Sequence, residues 1–143
     1  MKKKYLIVIA DYYKVVAKGL LDSALKLIPK SNEIKIIRVP GVFEIPVTIS
    51  KNIKKYDAFL ALGCVIKGQT PHFDFISQAS TNAIMNLSIL NKKPIGNGVI
   101  TCLNMKQAKV RRKKGAEAAD AVNSVLSQKW KLISIQRITQ GLL

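Results

Sequence analysis

The sequence predicts an α/β protein: a three-layer α/β/α sandwich around a central four-stranded parallel sheet, in a single domain of residues 1–143. Short apolar runs alternate with longer segments of helical periodicity, as expected for strands joined by crossover helices. Most of the apolar runs are continuous, which is typical of strands buried on both faces of a parallel sheet. A chain of 143 residues with 48% hydrophobic residues can build one core.

The first half of the chain supplies two strands and two helices. Residues 5–10 form a continuous apolar run, which predicts the first strand. Residues 15–28 carry apolar side chains at helical spacing with lysines on the outer side, and Pro29 ends that helix. Residues 33–39 are predicted as the second strand, and residues 43–53 as a short helix after a Pro-Gly pair.

The second half repeats this alternation. Residues 57–66 form the most apolar run and are predicted as the third strand, while residues 94–101 form a fourth strand weakened by two glycines. The predicted helices of this half are residues 71–90, 104–112 and 115–128. The segment beyond Trp130 is left unassigned. Ligands of such sheets bind beyond the carboxyl ends of the strands, so the loops there are the candidate site.

The charge balance is strongly basic. Lys and Arg number 24 against 8 acidic residues, for a formal net charge of +16. This predicts an anionic partner or lysines scattered over solvated faces. The one dense basic run, residues 109–114, has no interleaved aromatics of the kind that single-stranded nucleic acids stack on. We therefore expect no nucleic-acid partner, and keep a basic nucleic-acid-binding module as the alternative hypothesis.

Targeting and metal chemistry are not indicated by the sequence. No apolar run is long enough to cross a bilayer, and the apolar run at residues 5–10 is too short for a signal peptide, so we expect a cytoplasmic protein without a membrane partner. Cys64 and Cys102 lack metal-ligand spacing, and the chain has one histidine, so no metal site is expected. The two cysteines are interpreted as buried reduced thiols.

That one histidine, His72, follows the third strand and a glycine-containing loop. Thr70 is predicted as the N-cap and Pro71 as the first helical residue, which places His72 beside the free N–H groups of Gly68, Gln69 and Thr70. Because Gln69 replaces the lysine of a nucleotide-binding loop, the segment predicts a site for one phosphate rather than an NTPase. His72 is either an acid–base group beside that phosphate or a solvated helix residue.

Other candidate residues follow the remaining strands, and each has two interpretations. Tyr12 and Tyr13 either offer a ring that stacks on a flat heterocycle or cover one end of the hydrophobic core. Glu44 either accepts hydrogen bonds from a polyol or caps the next helix. Arg111 and Lys114 either clamp a phosphate or belong to a solvated basic helix face.

Three segments resemble one known family. Residues 39–46 read V-P-G-V-F-E-I-P, residues 62–74 read L-G-C-V-I-K-G-Q-T-P-H-F-D, and residues 114–119 read K-G-A-E-A-A. In this order and spacing they resemble the 6,7-dimethyl-8-ribityllumazine synthases, from the first strand to the last helix. The resemblance implies a flavodoxin-like sandwich.

The resemblance also implies an activity. A transferase of this family condenses 5-amino-6-(D-ribitylamino)uracil, a ribitylaminopyrimidinedione, with the phosphorylated ketone 3,4-dihydroxy-2-butanone 4-phosphate. The products are 6,7-dimethyl-8-ribityllumazine, phosphate and water, in the penultimate step of riboflavin biosynthesis. No cofactor and no metal are implied.

Site residues carry over by motif position. His72 takes the proton-transfer position, Tyr12 stacks on the pyrimidine, and Glu44 accepts hydrogen bonds from the ribityl hydroxyls. The full set of implied substrate-binding residues is Tyr12, Val42, Phe43, Glu44, Cys64, Val65, Ile66, Gln69, Thr70, Asn97, Arg111 and Lys114. Residues 42–44 lie on the ribityl side, residues 64–66 give main-chain contacts to the heterocycle, and residues 69–70 bind phosphate with Arg111.

The sequence departs from the family pattern at several of these positions. Asn97 stands where many members have phenylalanine, and Tyr12 stands where phenylalanine or tryptophan is usual. Arg112 is the other candidate for the phosphate clamp. The resemblance implies a homo-oligomer built of pentamers, with its sites between neighbouring subunits. Because the segment between Arg111 and Lys114 is shorter than in shell-forming members, we expect a free pentamer.

Overall fold

The computed structural model describes residues 2–127 and contains one sheet of four parallel strands. The strands are β1 (Lys4–Ala10), β2 (Glu33–Val39), β3 (Ala58–Ile66) and β4 (Ile95–Cys102), in the spatial order β2-β1-β3-β4. Each strand pairs in parallel with its neighbours, with Ile7 opposite both Ile36 and Leu60. The predicted sheet and fold class are confirmed.

Within residues 2–127, five helices connect and follow the strands. They are α1 (Lys14–Leu27), α2 (Ile45–Asn52), α3 (His72–Asn91), α4 (Met105–Val110) and α5 (Lys114–Ser127). A 3₁₀ turn, Val42–Glu44, occupies the start of the segment predicted as one short helix. The last helix is confirmed up to Ser127; residue 128 and the unassigned segment beyond Trp130 lie outside the described residues. The single domain of residues 1–143 stays a prediction for the same reason.

The two faces of the sheet are covered by different helices. On one face Ile7, Ile9 and Leu60 pack with side chains of α1, α4 and α5. On the other face Leu6, Val8 and residues of the 3₁₀ turn, α2 and α3 form a second buried cluster. Successive residues of β1 therefore enter different cores, which is why its sequence is continuously apolar rather than alternating. Among residues 2–127, no helix combines the length and the apolarity needed to span a membrane.

Candidate active site

A cavity of about 550 Å³ opens at the carboxyl end of the sheet, and we call it the histidine cavity. Its walls come from the β1–α1 loop, the 3₁₀ turn, the end of β3 and the first turns of α3. The lining residues are Tyr12, Tyr13, Gly41, Val42, Phe43, Glu44, Cys64, Val65, Ile66, His72 and Ile76. Eight of these were predicted from the sequence, so the structure brings most of the predicted residues together.

Close packing at Gly63 brings the 3₁₀ turn onto the end of β3. A methyl group added at Gly63 would lie 2.9 Å from Cγ2 of Val42 and 3.1 Å from Cβ of Ala10. Both neighbours are buried, so neither can move away without opening the core. The glycine therefore allows Val42, and with it Phe43 and Glu44, to approach the strand.

The start of the β1–α1 loop, which carries Tyr12 and Tyr13, is hydrogen-bonded to the end of β2. The N–H of Asp11 donates to the carbonyl oxygen of Val39 at 3.0 Å. Nη1 of Arg38 donates to both carboxylate oxygens of Asp11, at 3.0 and 3.2 Å. The ion pair is partly exposed and contributes little to stability, but it fixes where the chain leaves the sheet before Tyr12.

The two tyrosines of this loop take different positions: Tyr13 covers the core, and Tyr12 remains a candidate for stacking on a ligand. Their ring centroids lie 4.8 Å apart with the planes at 78°, an edge-to-face contact. Tyr13 packs against the core, and its burial, with smaller contributions from Tyr12 and Cys64, raises the pKa of its phenol. Tyr12 is 74% exposed and presents its ring at the cavity mouth.

Glu44 is free to bind a ligand. It precedes α2 as the N-cap residue, but its side chain makes no capping hydrogen bond, so the capping alternative is not observed. Its carbonyl oxygen accepts a hydrogen bond from Oγ1 of Thr48 at 2.8 Å. Among the described residues, the carboxylate itself has no hydrogen-bond or ion-pair partner and lines the cavity.

The start of α3 differs from the prediction. Thr70 is not the N-cap, and Pro71 is not the first helical residue: the N-cap is Pro71, without a side-chain capping bond, and the helix begins at His72. The reason is that the carbonyl oxygen of Pro71 accepts the first helical hydrogen bond, from the N–H of Phe75 at 3.2 Å. Gln69 and Thr70 are exposed and do not line the cavity.

His72 itself sits in the first position of the helix, where its own N–H has no helical partner. Its side chain is exposed and lines the cavity. The ring is thus accessible to a ligand in the cavity, as an acid–base group must be, while remaining open to solvent.

A second cavity, of about 430 Å³, lies beside the end of β4, and we call it the arginine cavity. Its lining residues are Val99, Ile100, Thr101, Val110, Arg111, Lys113, Lys114 and Glu117. It shares no lining residue with the histidine cavity. Three of these residues, Arg111, Lys113 and Lys114, are cations. Nζ of Lys114 lies 3.4 Å from Oε2 of Glu117, so the charge of Lys114 is partly neutralised. The structure separates Arg111 and Lys114 from the other predicted residues.

Arg111 and Arg112 have different surroundings, although they are adjacent in the sequence. Nη1 of Arg111 lies 3.4 Å from the carbonyl oxygen of Thr101 and 4.0 Å from Sγ of Cys102, at the end of β4. The carbons of Arg112 instead lie over Gly19 of α1, and its Nε donates to the carbonyl oxygen of Lys109 at 2.8 Å. Only Arg111 lines the arginine cavity.

Asn97 lies in neither cavity. It is exposed on β4, an edge strand, and its Oδ1 accepts a hydrogen bond from the N–H of Val99 at 3.0 Å. The side chain is therefore folded along its own strand, and its Nδ2 group remains available to donate.

The cysteines are buried and reduced, as predicted. Burial, together with the charge and hydrogen bond of Cys102, raises the pKa of the Cys64 thiol to about 12. A thiol with this pKa is protonated at neutral pH and is a poor nucleophile. Cys64 therefore contributes shape and main-chain groups to the cavity wall rather than reactivity. Among residues 2–127, no three His, Cys, Asp or Glu side chains cluster in a way that could hold a metal ion.

Sequence reasoning missed several lining residues. In the histidine cavity these are Gly41 and Ile76, whereas Tyr13 was a candidate outside the implied substrate-binding set. Ile76 had a signal, since it lies four residues after His72 and so one helical turn along the same face. Lys113 lies among the basic residues at 109–114, but no local pattern distinguishes it from Arg112, whose side chain turns toward α1.

Comparisons of this chain with family models and with known proteins point to one family. The family model of 6,7-dimethyl-8-ribityllumazine synthase matches residues 2–129. A Cutibacterium acnes protein described as 6,7-dimethyl-8-ribityllumazine synthase is 39% identical over 133 residues, which cover 87% of this chain and 80% of that protein. A Buchnera aphidicola protein of the same description is 41% identical over 82% of both chains. One from Methylobacterium radiotolerans is 39% identical over 88% of this chain and 82% of its own.

The raised pKa of Cys64 predicts a loss of stability in alkaline solution. The folded protein keeps the thiol protonated up to a pKa of about 12, against a usual value of 9.0, so the unfolded chain binds fewer protons between these values. The free energy of unfolding should therefore fall as pH rises from about 9 toward about 12. Urea denaturation of wild type and Cys64→Ala measures this, because lysine titration is common to both. Equal alkaline slopes for the two proteins would contradict the prediction.

Proposed function

The chain belongs to the 6,7-dimethyl-8-ribityllumazine synthase family, and on that premise we propose that the histidine cavity and the arginine cavity are the two halves of its active site. The protein is a transferase of riboflavin biosynthesis that condenses 5-amino-6-(D-ribitylamino)uracil with 3,4-dihydroxy-2-butanone 4-phosphate to give 6,7-dimethyl-8-ribityllumazine, phosphate and water. The observation that carries the assignment of the site is the grouping of the only histidine, an unpartnered carboxylate and exposed aromatic rings in one cavity.

The histidine cavity suits the pyrimidine substrate. The exposed rings of Tyr12 and Phe43 offer flat apolar surfaces for a heterocycle. The free carboxylate of Glu44 accepts hydrogen bonds from the ribityl hydroxyls. Main-chain groups of residues 64–66, at the end of β3, lie at the cavity wall and bond the edge of the heterocycle.

His72 moves protons during the condensation. The substrate amine attacks the ketone carbonyl, and the adduct loses water to give an imine. Loss of a proton from the carbon next to the imine then expels phosphate and leaves a carbonyl group. The ribityl-bearing nitrogen attacks that carbonyl, and the second ring closes with loss of a second water. Each step transfers a proton to or from nitrogen, oxygen or carbon, and an exposed imidazole beside the bound substrates serves each of them in turn. Holding amine and ketone together supplies much of the remaining rate.

The phosphate group requires permanent cations, and no lysine or arginine lines the histidine cavity. Arg111, Lys113 and Lys114 line the arginine cavity, and an arginine fork matches phosphate oxygens. The exposed loop residues Gln69 and Thr70, just before His72, contribute further polar groups. Because the two cavities of one chain are separate, we propose that a neighbouring subunit brings its arginine cavity to this subunit's histidine cavity.

A closed pentamer is the proposed assembly. Large apolar side chains remain exposed on α3 of the isolated chain, among them Phe75 at 66% and Leu90 at 78%. Such surfaces mark subunit contacts, and a head-to-tail contact repeated around a ring places unlike surfaces together. Asn97 of the neighbour, with its free Nδ2, then faces the substrate where many relatives have an aromatic ring. We also propose a cytoplasmic location, with which two free buried cysteines agree.

The net charge of +16 is assigned to attraction of the phosphorylated substrate. The alternative of a nucleic-acid-binding module needs a continuous basic surface. The densest basic run does not form one, since Arg111 turns to the end of β4, Arg112 lies over α1, and Lys114 pairs with Glu117.

Incubation of the protein with both substrates tests the function directly. The expected result is growth of the lumazine absorbance and green fluorescence. The kcat of His72→Ala should be lower by about ten- to hundredfold, at or below the low end of acid–base contributions, because positioning supplies much of the rate. Because His72 is exposed, the thermal unfolding temperature should be unchanged. Wild-type protein that makes no product, while binding DNA with a steep salt dependence, would instead support the alternative.

Replacement of each arginine separates the two clamp candidates. Arg111→Ala should raise KM for the phosphorylated ketone by about ten- to hundredfold, as expected for loss of a charge-assisted hydrogen bond. KM for the pyrimidine should be unchanged. Arg112→Ala is the matched control: it should leave both KM values unchanged and lower thermal stability, because its side chain packs on Gly19. The reverse pattern would assign the clamp to Arg112.

Mixing of two damaged chains tests the site between subunits. One chain carries Arg111→Ala, and the other carries His72→Ala with Phe43→Ala. After joint refolding at equal amounts, random ring assembly pairs two intact halves at about a quarter of the sites, so activity should return toward a quarter of wild type. Light scattering should give about five times the chain mass of 15.8 kDa. Activity no higher than the sum of the separate chains would show that each site lies within one subunit.

A further inference from the structure

The backbone junction between α4 and α5 is bonded to α1 by one side chain, that of Ser23. Its Oγ lies 2.9 Å from the carbonyl oxygen of Arg112 and 3.0 Å from that of Leu20, and it donates its proton to one of them at a time. The same Oγ accepts a hydrogen bond from the N–H of Ala116 at 3.1 Å. The hydroxyl thus bonds both the middle of the junction, residues 111–113, and the first turn of α5.

A glycine beside this serine brings the two backbones into contact. A methyl group at Gly115 would overlap the carbonyl oxygen of Leu20, so the first turn of α5 lies directly on the backbone of α1. At Gly19 the contact is with the side-chain carbons of Arg112 instead. Small movements of the junction are limited by the close contact at Gly115 and by the serine bonds.

The junction carries the residues of the arginine cavity. Arg111 precedes the bonded carbonyl of Arg112, and Lys114 lies between that carbonyl and the bonded N–H of Ala116. Only two residues separate Arg111 from Lys114, so a shift of this short segment moves both cations together. The bonds of Ser23 fall on Arg112 and Ala116, so they adjoin Arg111 and flank Lys114 in the chain.

We propose that Ser23 is a positioning residue for phosphate binding: by bonding the α4–α5 junction to α1, it holds Arg111 and Lys114 where they contact the phosphate of the ketone substrate. This proposal rests on the proposed function of the arginine cavity. Ser23 does not line that cavity itself and acts through the backbone.

Removal of the Ser23 hydroxyl should cost little folding stability, which distinguishes a positioning role from a purely structural one. If the hydroxyl is removed, the N–H of Ala116 keeps a second acceptor, the carbonyl oxygen of Lys113 at 3.0 Å. The carbonyl of Arg112 lies in an exposed residue and can bond water instead. Loss of the hydroxyl therefore leaves no buried polar group unsatisfied and costs little folding free energy, while the junction loses its fixed position.

Ser23→Ala tests the proposal by its effects on the two substrates. KM for 3,4-dihydroxy-2-butanone 4-phosphate should rise about three- to tenfold, the size of one neutral hydrogen bond, with KM for the pyrimidine unchanged. Inhibition by inorganic phosphate should weaken by the same factor. Ser124→Ala is the matched control, because that hydroxyl donates to Ala121 within its own helix at 2.7 Å, and it should change neither KM.

A double substitution shows whether Ser23 acts through Arg111. In the Arg111→Ala background, Ser23→Ala should raise KM for the ketone by less than it does in wild type, since the group it positions is already absent. Full additivity would overturn the proposal. So would an unchanged KM for the ketone in Ser23→Ala, or an equal rise of both KM values with a large fall in the unfolding temperature.

Two further measurements keep the test decisive. If Ser23→Ala does not fold, Ser23→Thr and Ser23→Val are compared, because they have the same shape and differ by the hydroxyl; the threonine variant should bind phosphate more tightly. If wild type makes no lumazine, the proposed function fails. Calorimetric titration of inorganic phosphate into wild type and Ser23→Ala then still tests the junction, and equal affinities would overturn it.

Discussion

The parallel pairing of β1 with β3, buried on both faces, is the constraint on which the candidate site depends. It aligns the carboxyl ends of the two central strands at one edge of the sheet, so that the loops after them are neighbours although some fifty residues separate them in the chain. Tyr12, at one of these loops, and His72, after the other, meet in one cavity for this reason. The apolar side chains that hold the two strands together are therefore as necessary to the site as the residues that line it.

The sequence allowed the fold to be predicted well because its signals are local and repeated. A continuous apolar run such as residues 58–62 does not fit an amphipathic helix, which needs polar residues on its solvent-exposed face. It fits a strand whose two faces are both buried. The start of α3 was predicted one residue early. Threonine before proline is a good local capping signal, but a bond to the carbonyl of Pro71 decides where the helix begins, and that bond depends on how the loop leaves β3.

The histidine cavity was also largely predictable, because the carboxyl ends of parallel strands lie at the same edge of the sheet and the loops after them are neighbours. The different environments of Arg111 and Arg112 were not. Both are basic, exposed and adjacent, and only the packing of Gly19 against one of them decides which side chain remains at the cavity. The same holds for Glu44, whose sequence position suited a helix cap and a ligand contact equally. Local patterns assign residue types to a region, whereas the choice between neighbours is made by contacts with distant parts of the chain.

The bond between Asn97 and Val99 has a consequence for solubility. β4 ends the sheet on one side, and an exposed strand edge is a template on which a second chain can add a strand of its own. By occupying the N–H of Val99, the amide oxygen of Asn97 removes one of the donors that such an addition would use. This edge of the described sheet is thus less able to pair with a strand of another chain, at a position where an aromatic residue would offer no such protection.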